Sequence, residues 1–343
     1  MMIAGGRSQS LHIPMLESSR VAEARRAIGA LAAENHLGEA DVGRAQIVAS
    51  ELANNLLRHA RDGFLIARAL QESEGQGLEI AAIDRGPGMD LQRCLADGFS
   101  TGGTPGTGLG AVRRLSDSFD AYSLPGGSIA VARVLATGEA RRPTGPAVLQ
   151  IGAVCLPKTG EEISGDAWAA TTMAGGRTLI IVADGLGHGP LAADASNAAL
   201  AAFHDEAPSG RGPADILTEI HRRLRSTRGA AVAIAEISPA SGELRYAGLG
   251  NVAATVISSG SRRGLVSHNG IAGGTPSPPR ELSYPFAPQS LLVMASDGLG
   301  THWDLARYAG AATHHPAVVS SLLCRDFSRG RDDLTVVAVR EAA

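Results

Sequence analysis

Residues 179–187 read LIIVADGLG and residues 291–300 read LLVMASDGLG. Each is an apolar run that ends in an aspartate, Asp184 or Asp297, followed at once by a glycine. A short apolar run bounded by a turn signal is the pattern of a buried strand. A carboxylate at the tip of such a strand is well placed to hold a metal, and the glycine beside it lets backbone oxygen come close too. Either copy alone reads as an ordinary Asp-Gly turn after a strand. Two copies, more than a hundred residues apart in sequence, point to two strands that deliver aspartates to one site.

Other aspartates strengthen that expectation. Asp166 lies in ISGDAW, and Asp332 and Asp333 lie in GRDDLTVV, each at the end of a predicted strand. Carboxylate and carbonyl oxygens are hard donors suited to Mg²⁺ or Mn²⁺, and no cysteine or histidine cluster argues for zinc. A pair of such cations can polarise a water and orient a phosphate for in-line attack. Lys158 reads as a solvated loop lysine, and His188 as a lid or turn residue rather than a ligand.

Bulk properties narrow the class. The chain has 343 residues, long for one core and comfortable for two domains. Apolar residues make up 44% and aromatics only 3%, so packing relies on small aliphatic side chains. A net charge of −3 gives no global pull toward nucleic acid or an anionic membrane. The three cysteines, Cys94, Cys155 and Cys324, are too few and too scattered for a disulfide framework or a zinc site. With no apolar stretch of membrane-spanning length and no signal-peptide pattern in residues 1–20, the expectation is a cytoplasmic protein with reduced thiols.

The segment TGEARRPTGPA, 137–147, has few apolar side chains to anchor it and reads as a linker between domains at 1–136 and 148–343. In the first part, 11–15 reads as an edge strand. Residues 18–35 carry Val21, Ala24, Ile28 and Leu31 at helical spacing, with Ser18 or Ser19 as N-cap. A second helix begins at Asp41, with Ile47, Val48, Leu52 and Leu56 on its apolar side. Strands follow at 64–70 and 78–83, then a Gly/Thr-rich loop from 99 to 106, a helix over 108–116, and strands at 119–124 and 128–135. This mixture suggests an α/β sandwich. The second part reads as strands at 148–154, 166–172, 178–183, 230–237, 243–248, 252–257, 290–295 and 334–340, with helices at 189–205, 212–227 and 314–324. Residues 259–290 read as loop with short strands. The fold class is α+β, two layered sandwiches in series.

Three segments of the first part combine into a nucleotide pocket. SELANNLLRHA places Glu51 and Asn55 four apart on one helix face, where an amide oxygen can ligate Mg²⁺ and a carboxylate one turn away can accept a proton. IDRGPGM puts Asp84 at a strand end before Gly86 and Gly88; the aspartate can accept from an adenine amino group while the glycines admit the base. The loop GTGLG, Gly106-Thr107-Gly108-Leu109-Gly110, opens a helix whose free N–H groups can cradle phosphates. Each segment alone has a plain structural explanation; their ordered combination is what carries the assignment. His59, one turn beyond Asn55, reads as structural.

The trio Glu51-x3-Asn55, Asp84-x-Gly86-x-Gly88 and Gly106–Gly110 resembles the N, first-glycine and second-glycine boxes of the GHKL ATPases. DGFSTGGTPGTGLGAVRRLSDSFD, together with IPMLESSRVAEARRAI near the start, is most similar to the RsbT switch kinases. Over residues 10–136 the resemblance implies a GHKL α/β sandwich that binds ATP. Asn55 would hold Mg²⁺, Glu51 would be the catalytic base, Asp84 would read adenine, and 99–110 would be the ATP lid. Over residues 147–341, SGD, ADGLGHG, SDGL and DDLT resemble the PPM-type serine/threonine phosphatases of the SpoIIE and RsbX branch. That resemblance implies an αββα sandwich with catalytic Mn²⁺ or Mg²⁺, two ions, held by Asp166, Asp184, the Gly185 carbonyl, Asp297 and Asp332, with Asp333 behind them. No equivalent of the phosphate-binding arginine of the eukaryotic members is evident.

Together the resemblances imply a bacterial partner-switching regulator. One half would phosphorylate a Ser or Thr of a partner, and the other would hydrolyse phosphoserine or phosphothreonine. The partner expected is a STAS-domain antagonist or scaffold protein, in a stressosome-like assembly. The alternative is an ATP-dependent partner-binding module without kinase turnover, fused to a phosphatase.

Overall fold

The structure is a computed structural model, and it describes residues 8–70, 74–94, 108–137, 149–173, 175–274 and 279–342. These form two compact units that are each discontinuous in sequence. The first lies within 10–137 and 307–325, and the second takes 8–9, 149–306 and 326–342. Most of the expected linker, 138–147, lies outside the described residues, as does the loop 99–107 with Gly106 and Thr107.

The first unit is built on an antiparallel sheet in the order β1-β2-β3-β5-β4. Its strands are β1 (Leu11–Pro14), β2 (Phe64–Ala69), β3 (Gly77–Ile83), β4 (Ser118–Leu124) and β5 (Gly127–Leu135). Alternation decides which side chains face the helices. Leu65 and Ala67, Leu78 and Ile80, and Ala130, Ala132 and Val134 enter one core with Ile28, Val48 and Leu52 of α1 (Ser19–Glu34) and α2 (Glu39–His59). A short α3 (Leu91–Cys94) and α4 (Gly108–Leu115) complete the helical face.

Three local expectations change. Ser18 is the N-cap residue of α1 but makes no capping hydrogen bond, and the Ser19 hydroxyl donates to Glu17 instead, at 2.6 Å. Helix α2 begins at Glu39, so Asp41 sits inside its first turn. There Asp41 is buried and accepts from the Thr137 N–H at 2.8 Å and from Arg44 at 2.9 Å. Ile47 is 47% exposed, because the buried stripe of α2 runs through Ala45, Val48, Ala49, Leu52, Ala53 and Leu56. Small residues rather than Ile47 face the sheet, which lets helix and sheet approach closely.

The second unit has two antiparallel sheets. One runs β13-β10-β9-β8-β7 and the other β12-β11-β14-β15-β6. The strands are β6 (Leu149–Leu156), β7 (Asp166–Thr172), β8 (Thr178–Gly185), β9 (Ala230–Ser238), β10 (Glu243–Leu249), β11 (Ala253–Ser258), β12 (Ser261–Gly264), β13 (Leu282–Pro285), β14 (Leu291–Ala295) and β15 (Leu334–Glu341). Leu179 and Ile181 of β8 and Val232 and Ile234 of β9 pack with Phe203, Ile216 and Ile220 of helices α5 (Pro190–Glu206) and α6 (Pro213–Arg223). The intervening residues, Ile180, Val182, Ala233 and Ala235, enter a second core with Ile151, Leu292, Met294, Val337 and Val339 of the other sheet. β8 and β9 are apolar through Leu179–Ala183 and Ala230–Ala235 because both faces of the pair are covered there.

Helix α7 (Pro316–Phe327) lies in the chain between β14 and β15, yet up to Arg325 it groups with the first unit. Within that unit the segment meets the sheet face turned away from α1 and α2. The Tyr122 hydroxyl donates to the Ala309 carbonyl at 3.1 Å, and Asp120 accepts from the His315 N–H at 2.7 Å. On the same alternation lie the buried Arg68 and Glu79 and the partly buried Arg133, linked to each other and to Glu74 by ion pairs of 2.6–3.0 Å. Sequence reading had assigned this helix wholly to the second domain; what gave no signal was the buried charge on β2, β3 and β5 that it helps to cover.

Candidate nucleotide pocket and carboxylate centre

The first unit contains a cavity of about 500 Å³ whose wall includes Glu51, Asn55, Asp84, Gly88, Gly108 and Leu109. Helix periodicity puts Glu51 and Asn55 on one side of it, and His59 one further turn along joins them. Glu51 is partly buried, and burial raises its carboxyl pKa against the opposing charge of Arg58. The Asn55 amide nitrogen is buried with no hydrogen-bond partner among the described residues, so the side chain has polar capacity to spare for a ligand.

Asp84 follows β3 and is 6% exposed. One carboxylate oxygen accepts from the Gly86 N–H at 2.6 Å, and the Asp84 N–H donates to the Ser128 carbonyl at 3.0 Å. Burial pushes its pKa up, opposed by hydrogen bonds from the Gly86 and Ser128 N–H groups to the carboxylate and by the Arg325 charge. The Arg325 guanidinium donates to the Asp84 carbonyl at 3.1 Å, and Arg85 donates back to the Arg325 carbonyl. Gly88 has φ +84, and a side chain there would meet the Leu124 carbonyl at 2.6 Å. Gly86 and Gly110 do not line the cavity wall. Sequence reading missed Ser128, which lines the cavity, and Arg325, which carries no motif and reaches Asp84 only through the fold.

In the second unit, Asp166 and Asp184 are direct partners across the β7–β8 register. Side chains of opposed residues share a face with Cβ atoms about 4.5–5.5 Å apart. Alternation from Trp168, Ile180 and Val182 places that face between the two sheets. The Asp297 N–H donates to the Asp184 carboxylate, so the two Asp-Gly turns meet. Asp333 comes in from the start of β15, accepting from the Lys158 N–H at 2.8 Å and from the Gly165 N–H. Its neighbour Asp332 is exposed at the rim and accepts from the Asp333 N–H at 3.0 Å.

The electrostatics are strained in one direction. Burial, then the Asp184 charge, raises the Asp166 pKa well above the ordinary value. Burial and then Asp297, Asp332 and Asp333 push Asp184 up to about 7. Asp297 and Asp333 are raised too, chiefly by burial. One oxygen each of Asp166 and Asp333 is buried with no partner among the described residues. Carboxylates crowded in this way call for positive charge. The oxygen-only donor set fits Mg²⁺ or Mn²⁺. Among the described residues no three His, Cys, Asp or Glu side chains close on a single point as a cage; Mg²⁺ uses one or two carboxylates and completes its shell with other oxygens.

Gly185 is held to glycine by the fold, because a Cβ there would collide with the Ala192 carbonyl. Gly298, in the second turn, is pressed against the Asp333 carbonyl in the same way. Sequence reading overlooked Asn251, whose amide donates to Asp297 Oδ2 at 2.7 Å; the available signal was a Gly-Asn turn after β10. Asp333, expected behind the ligands, is the more buried of the adjacent pair, and Asp332 is exposed. His188 pairs with Glu161 at 2.8 Å.

Residues 174–341 match the family described as Stage II sporulation protein E (SpoIIE), and residues 15–134 match the histidine kinase-like ATPase domain family. The serine/threonine-protein kinase RsbT of Bacillus subtilis (strain 168) is 37% identical over 83 residues, 24% of this chain and 62% of RsbT. The match thus spans less than two thirds of that relative. A chain solved in work on the bacterial stressosome is 28% identical with a TM-score of 0.51, covering 56% of this chain and 99% of its own. RsbX in complex with magnesium is 23% identical with a TM-score of 0.52, covering 58% and 98%, a likeness of fold. The chain joins a histidine kinase-like ATPase domain resembling RsbT to a SpoIIE-type domain with the PPM phosphatase fold. Among the described residues no helix is long and apolar enough to cross a membrane.

Proposed function

We propose that the chain is a bacterial partner-switching regulator whose second unit removes phosphate from phosphoserine or phosphothreonine of a partner protein. The observation that carries this reading is the meeting of Asp184 with Asp297 beside the unpartnered oxygens of Asp166 and Asp333. Asp166, Asp184, the Gly185 carbonyl, Asp297 and Asp332 would hold divalent cations, which supply a polarised water and orient the phosphoryl group. Asp333, tied to Lys158 and Gly165, fixes the β15 end of the set. Water adds to phosphorus, the P–O bond to the side chain breaks, and the proton goes to the leaving oxygen. The products are a Ser or Thr hydroxyl and inorganic phosphate.

For the first unit the proposed activity is transfer of the γ-phosphoryl of ATP to a Ser or Thr of a STAS-domain partner. Asp84 would accept from the adenine amino group, Asn55 would hold Mg²⁺, and Gly106–Gly110 with the start of α4 would face the phosphates, ADP leaving as the γ-phosphoryl passes to the hydroxyl. Glu51, its pKa raised by burial, takes the hydroxyl proton. Both activities on one side chain would consume ATP without net change, so the two units act on distinct substrates or alternate.

The test is incubation of the full chain with a STAS-domain partner and labelled ATP, with and without Mn²⁺. The partner gains label in a Glu51-dependent reaction, and Mn²⁺ removes it. Persistence of the label on this partner under Mn²⁺, together with no Mn²⁺-dependent phosphate release from phosphoserine or phosphothreonine peptides, sinks the phosphatase assignment. If Glu51→Gln leaves partner binding intact and the wild type transfers no label, the first unit is an ATP-dependent binding module instead.

A further inference from the structure

The two Asp-Gly-Leu-Gly turns share a feature that the metal ligands do not explain. Each is clamped by backbone to a segment that carries an arginine. At the first turn, the Leu186 N–H donates to the Gly229 carbonyl at 3.0 Å. The preceding residue, Arg228, sends its guanidinium to within 3.2 Å of the point where a Cβ on Gly187 would stand. At the second turn, the Arg329 N–H donates to the Gly298 carbonyl at 2.9 Å. The Arg329 charge is felt by Asp297, opposing the rise that burial and Asp332 impose.

Both guanidiniums are exposed, and neither makes a hydrogen bond or ion pair with another described residue. Carboxylates nearby are already engaged by other donors. Asp297 takes the Asn251 amide at 2.7 Å, and Glu161 takes His188 at 2.8 Å. Among the described residues, the guanidiniums of Arg228 and Arg329 are thus left without an acceptor. A guanidinium fork matches the paired oxygens of a phosphate, in bidentate geometry that a lysine cannot reproduce. A dianionic phosphomonoester approaching a rim of aspartates is repelled unless positive charge stands at that rim.

We propose that Arg228 and Arg329 are the phosphate-receiving pair of the second unit, each taking phosphoryl oxygens of the phosphoserine or phosphothreonine substrate. The proposal rests on the phosphatase reading and adds the residues that select a phosphate ester for that centre. It also explains why an arginine accompanies each copy of the echoed turn. The aspartates collect cations, and the arginines beside them collect the anion that those cations are to act on.

Inorganic phosphate is the probe, titrated by calorimetry into the Mn²⁺-loaded full chain, alongside phosphopeptide kinetics. Loss of a charge-assisted contact costs about tenfold or more in binding. Arg228→Ala and Arg329→Ala each weaken phosphate binding and raise KM more than they lower kcat, and the double variant loses more than either. Arg→Lys at each position restores part of the loss. Mn²⁺ binding by Arg329→Ala is unchanged or tighter, since a positive charge beside Asp297 has gone; a merely structural role would weaken it. Unchanged phosphate affinity and KM in a double variant that still loads Mn²⁺ overturns the proposal. A wild type that binds phosphate through these arginines but turns over no phosphopeptide instead overturns the phosphatase reading, because the calorimetric arm does not depend on turnover.

Discussion

Asp84 and Asp184 stand in the same local sequence device, an apolar strand ending in an aspartate before a glycine-rich turn, yet their surroundings differ in sign. Asp84 is met by the Gly86 N–H at 2.6 Å, and the Arg325 charge lies close by. It is a lone acceptor held ready for a neutral donor such as an amino group. Asp184 is met by Asp166, Asp297, Asp332 and Asp333, and the Asp297 N–H opposes their effect. In the first pocket the aspartate stands without like charges around it. The other is incomplete without cations, since buried like charges cannot all ionise. The device itself sets no chemistry; the number of carboxylates that the fold brings to it does.

The strongest way to break that contrast is to titrate it. With a pKa raised from the ordinary 3.8 to about 7, Asp184 binds a proton in the folded chain that the unfolded chain releases. Stability of the metal-free chain is therefore greatest on the acid side of that window and falls as pH rises through about 7. In EDTA, Tm falls from pH 5.5 to pH 8, and Mn²⁺ removes most of the fall. Asp184→Asn flattens the profile and abolishes Mn²⁺-dependent phosphopeptide turnover. An EDTA profile that stays level, or a variant with undiminished turnover, removes the charge-strain account.

A smaller effect is expected at the first pocket. Asp84→Asn weakens ATP binding and leaves phosphopeptide turnover unchanged. Arg325→Ala removes a charge-assisted hydrogen bond from the Asp84 carbonyl, worth about 1.5–3 kcal/mol, and so lowers Tm. ATP affinity drops with it, because the carbonyl and carboxylate of Asp84 are held as one unit. Calorimetry with ATP checks both variants, and an Arg325→Ala chain with wild-type ATP affinity separates the helix from the pocket.

The smallest effect is at Asn251. Its amide fixes one oxygen of Asp297 from an exposed position, so Asn251→Ala loosens an aspartate without removing charge. Mn²⁺ affinity falls a few-fold, about the worth of one hydrogen bond, and the pH profile of the metal-free chain stays as it was. A shifted profile would mean that Asn251 acts on the charge cluster itself.

Much of this was legible along the chain because it is local or periodic. Alternation in β8, β9 and β15 and helical spacing in α1 and α2 set most element positions to within a few residues. Turn chemistry marked Asp84, Asp166, Asp184, Asp297 and Asp332. Reading failed where the deciding partner is distant in sequence. Ile47 has the right spacing for the α2 core, but Ala45 and Ala49 take that face because sheet and helix lie close. Arg325 sits far along the chain from Asp84, so nothing near the Asp84 motif announces the guanidinium that holds its carbonyl.

By itself the sequence determined the strands, the helices, the glycine turns and the acidic tips, because φ/ψ preference and hydrophobic period act over a few residues. Tertiary structure alone decided that α7 up to Arg325 groups with the first unit, that Arg325 holds Asp84, that Asp184 meets Asp297, and that the Arg228 and Arg329 side chains at the echoed turns have no partner among the described residues. The physical reason is range. A side chain's burial and charge environment are sums over neighbours that the chain brings together only by folding, and pKa, hydrogen-bond satisfaction and ligand preference follow from those sums.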